Sequence, residues 1–94
     1  SEFADKHRDA LLKIDSFEQL ERLFKSVNLE REFLQYAKNH NVTPADGEWR
    51  ESGEIIISQL KALIGRYSSM DNDAYYSYMF QIDNVIEKIQ SIDK

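Results

Sequence analysis

The sequence predicts an all-α fold, a small four- to five-helix bundle or orthogonal domain, on three observations. Apolar residues recur at three- and four-residue spacing along nearly the whole chain, the period of a helix with one buried face. One Pro and three Gly leave almost no strand or hairpin punctuation. Ser16, Asn28, Thr43 and Asp71 each stand where a helix would start.

Phe3, His7, Ala10, Leu11 and Ile14 form the stripe of a first helix, which Asp15-Ser16 interrupts. Ser16 with Gln19 three residues on reads as a capping box, and Phe17, Leu20, Leu23, Phe24 and Val27 carry the second helix. Asn28 caps a third, with Leu29, Phe33, Leu34 and Ala37 inward and Glu30, Arg31, Glu32 and Lys38 outward. Asn39-His40-Asn41 ends it, and Asn41 suits the left-handed conformation. Thr43-Pro44-Ala45-Asp46 combines an N-cap, a Pro at the first helical position and an acid in the first turn. Gly47 and Gly53 weaken the start of that helix by about 1 kcal/mol each relative to Ala, so a break near Gly47 is compatible with the pattern.

Beyond Gly53, the residues Ile56, Leu60, Leu63, Ile64 and Tyr67 share one face. Ser68-Ser69-Met70 is a turn, after which Asp71 caps the last helical region. There Tyr75, Met79, Ile82, Ile86 and Ile89 step by four, three, four and three. This register passes straight through Asp83-Asn84, so one helix or two capped segments both fit. Long helices over 43–67 and 71–93 form the expected antiparallel centre. The expected core spine is Ile56, Leu60, Leu63, Ile64, Tyr67, Tyr75, Met79, Ile82 and Ile86. No repeat of 30–45 residues is visible, which argues against a tetratricopeptide-type array.

Ninety-four residues read as a single domain over 1–94. A chain of this size buries roughly 60–65% of its unfolded surface, enough for one compact core but not for an enclosed cleft. The net charge of −5, with bases interleaved among acids, argues against nucleic acid as a partner. Without cysteine there are no disulfides and no thiolate metal sites, and no cofactor is expected. No apolar run approaches about 18 residues, so this segment is not expected to insert into a membrane. The chain opens at Ser1-Glu2-Phe3 without an initiator Met, almost inside a helical pattern. It reads as a piece excised from the C-terminus of a larger protein, with Ser1 a tag remnant.

Ser58 and Lys61 have the Ser-x-x-Lys spacing of penicillin-recognising serine enzymes. That chemistry needs the Ser at a helix start, a second Ser or Tyr motif and a Lys-Thr-Gly strand. The pair sits mid-helix without either companion, so a solvated helix face is expected and no catalytic residue is assigned. His7 reads as a core-edge residue and His40 as a cation at a helix C-terminus; two histidines in different helices do not make a zinc site. Asp71-Asn72-Asp73 opens like a calcium loop but lacks the Gly and terminal Glu, so capping is expected.

Tyr75, Tyr76, Tyr78 and Phe80 crowd the last helical region, and neighbours about 100° apart on a helix do not all face one core. Some wrap around the bundle with hydroxyls in water, or stand exposed as interface anchors. The interface reading falls on Tyr76, Tyr78 and Phe80, and on Trp49 beside the Gly47–Gly53 region.

Four blocks, Phe3-Ala4-Asp5-Lys6-His7-Arg8, Ser58-Gln59-Leu60-Lys61-Ala62-Leu63-Ile64-Gly65-Arg66, Tyr75-Tyr76 and Asp83, follow one another in a recognisable order and spacing. They resemble the C-terminal helical extension of carboxy-terminal processing (tail-specific) serine peptidases, in the form found in Bacteroidetes-type bacteria. The resemblance covers nearly the whole chain, but Trp49, Gly65 and the Asp46-Gly47 start are not anchored to it. It implies an exported parent, periplasmic or attached to the envelope, with a PDZ-like domain and a Ser-Lys peptidase core. The nucleophile and its Lys lie upstream in that family; Ser58 and Lys61 do not correspond to them. The implied role is a non-catalytic one in packing, substrate gating or assembly. The implied partners are the rest of the parent chain and a protein substrate or adaptor. The alternative is a free-standing helical interaction module that binds a partner helix through the Tyr75–Phe80 surface.

Overall fold

A computed structural model describes residues 2–92, Glu2 by its backbone alone. The described residues form six α-helices and no strand, as an all-α fold requires. They are α1 (Glu2–Lys6), α2 (Arg8–Leu12), α3 (Phe17–Val27), α4 (Leu29–Asn39), α5 (Asp46–Gly65) and α6 (Asn72–Ile92).

The expected first helix is two. His7 leaves helical geometry at φ −112° and ψ 22°, separating α1 from α2, although Phe3 O still accepts from His7 N and His7 O from Leu11 N. Leu11 and Ile14 are buried as expected, whereas Ala10, about 100° round from Leu11, is exposed. At the start of α3, Ser16 Oγ accepts from Gln19 N at 3.2 Å, and Gln19 Oε1 accepts from Asp15 N at 2.9 Å. The capping exchange is therefore present but reaches one residue further back than the usual box. Asn28, left-handed at φ 52°, closes α3 and opens α4, accepting from Arg31 N at 3.3 Å. Asn41 is also left-handed, at φ 62°, just past α4.

α5 begins later than Thr43. Ala45 holds the N-cap position with extended backbone and no side-chain hydrogen bond, so Thr43 and Pro44 precede the helix instead of starting it. Gly47 causes no break. The helix stops at Gly65, leaving Tyr67 beyond its end. α6 runs unbroken through Asp83-Asn84, preceded by Asp71 at φ 48°; residue 93 of the expected span lies outside the described residues.

α5 and α6 form the dominant antiparallel pair. Their seam is made of small residues. Ser58, Ala62 and Gly65 share a face at four- and three-residue spacing, all are buried, and a Cβ on Gly65 would lie 2.8 Å from Ala74 Cβ. That seam corrects the expected spine. Ile64 and Ile82 are buried, and Ile56, Leu60, Tyr75 and Met79 are half-buried, but Leu63, Tyr67 and Ile86 are exposed. The close approach turns the small-residue stripe toward α6 and leaves Leu63, about 100° round from Ala62, outside. The core is completed by Ala4, Leu11, Ile14, Leu20, Phe24 and Leu29 around Tyr78.

Hydrogen bonds tie the α5–α6 turn to the first third of the chain. Ser69 N donates to Ile14 O at 3.0 Å and Ser69 Oγ to Leu12 O at 2.7 Å, so two carbonyls left open at the end of α2 find their donors 55 and 57 residues on.

Candidate functional site

The expected interface residues separate into three environments. Tyr76 and Phe80 are each 67% exposed, one helical turn apart on the side of α6 away from the core. Tyr75 lies edge-on to Tyr76, with ring centroids 5.5 Å apart and planes at 77°, and Arg66 stands over the Tyr75 ring at 4.6 Å. Tyr76 is thus braced from below while its outer surface meets solvent.

Tyr78 is not an interface residue. It is completely buried, packed at 5.0 Å on Phe17 and 6.0 Å on Phe24 between ring centroids. Two positions from Tyr76 and from Phe80, it is turned about 200° from each, and so a core Tyr78 places both of them outside. Its hydroxyl makes no well-formed hydrogen bond among the described residues, and the Glu21 carboxylate lies near enough to act on it. Burial, and then the negative charge of Glu21, push that hydroxyl well above the ordinary tyrosine range.

Trp49 is half-buried and already engaged. Its indole Nε1 donates to Glu30 Oε1 at 2.8 Å, its ring stacks on Phe33 at 5.8 Å and 13°, and it covers Gly53, where a Cβ would lie 3.0 Å from the indole. It joins α5 to α4. Its single polar atom is used in doing so.

The Ser58–Lys61 pair also differs from expectation. Ser58 is 8% exposed because it lies on the α5–α6 seam, and Lys61 is half-buried. Lys61 Nζ pairs with Glu21 Oε2 at 3.3 Å and lies 5.9 Å and 5.8 Å from the ring centres of Phe24 and Tyr78. No hydrogen bond joins Ser58 to Lys61 among the described residues. The nitrogen faces a carboxylate and two rings rather than the hydroxyl that a nucleophile would present. The pair is not a wet face: Ser58 is buried and Lys61 is held by Glu21.

An apolar groove of about 470 Å³ opens between α1, α4 and α5, lined by Phe3, Leu29, Phe33, Tyr36, Leu60 and Ile64. At its rim Lys6 Nζ meets Glu32 Oε1 at 2.9 Å, and His7 Nε2 stands 3.8 Å from Glu32 Oε2. His7 packs tilted against the Phe3 ring at 4.4 Å, a core-edge position as expected, and His40 closes α4 against Tyr36 at 4.3 Å. No His, Asp or Glu grouping among the described residues could hold a metal ion, and no described helix is long and apolar enough to cross a membrane.

The exposed pair Tyr76 and Phe80 was legible as a candidate; the Lys61–Glu21 contact was not, because the partners lie 40 residues apart. A family model described as a family of unknown function (DUF8443) matches residues 1–68, which spans α1 to α5 and ends in the turn before α6. The chain belongs to that family. No curated protein and no solved structure matches it.

Proposed function

We propose that this member of the family is a non-catalytic helical domain that acts by packing and docking. Its parent, on this reading, is an exported tail-specific serine peptidase of the periplasm or envelope, and the parent does the proteolysis. The observation that carries the non-catalytic part is the use of Ser58 and Lys61 in packing: one is buried in the α5–α6 seam, the other is held by Glu21. The peptidase part is supported by the order of the Phe3–Arg8, Ser58–Arg66, Tyr75-Tyr76 and Asp83 blocks. The domain would pack on the peptidase core, gate substrate or mediate assembly, with the rest of that chain and a protein substrate or adaptor as its partners.

Two measurements test this. Peptide hydrolysis by this chain should stay at background; turnover abolished by Ser58→Ala would overturn the non-catalytic reading. Reading the native gene upstream of residue 1 tests the parentage. A PDZ-like domain and a Ser-Lys peptidase core there support it, whereas an initiator Met directly before Glu2 makes the domain a free-standing interaction module.

A further inference from the structure

The outward side of α6 has a composition of its own. Taking Tyr78 as the direction of the core, about 100° per residue puts Asp73, Tyr76, Phe80, Asp83 and Glu87 within about 40° of the opposite direction. All five are exposed. They follow one another by three, four, three and four residues, the spacing with which one helix seats along another. No cation shares this strip among the described residues: Lys88 lies on the flank, and Arg66 is held over Tyr75. The strip is two aromatic rings framed by three carboxylates.

We propose that this face docks a basic amphipathic helix presented by a protein partner. Its apolar residues would lie along Tyr76 and Phe80, and its Lys or Arg side chains would meet Asp73, Asp83 and Glu87. The aromatic pair supplies the anchors, and the edge contact from Tyr75 holds Tyr76 in place before binding, which lowers the ordering cost. The carboxylates choose the charge of the partner. A second copy of this chain is a poor occupant, since antiparallel α6 strips set Asp73 against Glu87 and parallel ones set each acid against itself, in a chain of net charge −5. Anionic lipid and nucleic acid are disfavoured for the same reason. The inference stands apart from the peptidase parentage, because the face works alike whichever chain carries the domain.

The test uses the full 94-residue chain and two synthetic helical peptides with the same apolar residues, one flanked by Lys and one by Glu. Fluorescence anisotropy of the labelled peptides should show the Lys peptide binding roughly tenfold tighter or more, with the preference shrinking as salt is raised. Tyr76→Ala with Phe80→Ala should weaken the Lys peptide roughly tenfold, and Asp83→Lys with Glu87→Lys should reverse the preference. Circular dichroism checks helicity; if the alanine pair unfolds, the charge-reversal pair, which leaves the apolar residues alone, decides. Four outcomes would overturn the proposal: no binding, equal binding of the two peptides, binding that ignores these variants, or shift perturbations confined to the α1–α4–α5 groove. Self-association of the unliganded chain abolished by the alanine pair would overturn it too.

Discussion

Gly65 and Ala74 touch across the α5–α6 pair so closely that a methyl group on Gly65 would stand 2.8 Å from Ala74 Cβ and 3.2 Å from Leu20 Cδ2. Contact at the first distance is forbidden between real carbon atoms, and Ala74 Cβ is fixed to the α6 backbone, so it cannot swing aside as the Leu20 methyl can. The two helices approach through the absence of a side chain.

Gly65→Ala should therefore destabilise the domain by about 1–3 kcal/mol, although Ala is ordinarily the better helix former. Gly47→Ala should do the reverse: a Cβ there meets nothing within 4 Å, and removing a glycine from a helix gains roughly 0.5 kcal/mol. Urea denaturation of the two variants beside the parent checks both signs; a stabilised Gly65→Ala would mean the helices can separate at no cost.

Tyr78→Phe removes a buried hydroxyl that makes no well-formed hydrogen bond and has only the Glu21 carboxylate near it, so it should stabilise by up to about 1 kcal/mol near neutral pH. The hydroxyl also has a signature in alkali. Its folded pKa is raised, so the folded state holds its proton where the unfolded chain has lost it. The associated stability is fully present below about pH 10 and falls above that by about 1.4 kcal/mol per pH unit. Comparing unfolding of the two proteins from pH 8 to 11 by about half-unit steps isolates this slope, which should be shallower in the Phe variant.

Trp49→Phe keeps a ring on Phe33 and Gly53 but loses the indole donor to Glu30. The loss should cost about 0.5–1.5 kcal/mol and speed hydrogen exchange in α4 more than in α3. Equal acceleration in both helices would show that Trp49 supports the whole core rather than the α4–α5 contact.

A chain cut after Ser68, where the family match ends, lacks α6 and with it Ala74, Tyr78 and Ile82 from the buried set. Phe17, Leu20, Phe24 and Gly65 would then face water. Residues 1–68 alone should show no cooperative thermal transition, as read by far-ultraviolet circular dichroism. A sharp transition would make α6 an accessory element.

The helix starts at Ser16 and Asn28 were readable because their capping bonds span three residues and need no tertiary partner. The left-handed backbone of Asn41 was readable for the same reason. Tyr78 was not. With Tyr75, Tyr76, Tyr78 and Phe80 all aromatic, the periodicity fits more than one inward direction, and only the Phe17 and Phe24 rings contributed by α3 select it. Ser58 failed on a different ground. A hydroxyl on an apolar helix reads as solvated until a second helix comes near enough that small size outweighs polarity, and that approach is set by Gly65 and Ala74 together. The break at His7 has no marker in its own residue type.

The bonds from Ser69 to Leu12 and Ile14 also set an order of events during synthesis. A ribosome adds about 5–20 residues per second, so several seconds pass between the appearance of α2 and of the donors that complete its end. Over that interval the N-terminal helices hold open carbonyls and an uncovered apolar stripe. The nascent chain is thus at its most vulnerable to proteases and to other nascent chains until residue 69, and α6 behind it, have cleared the exit tunnel.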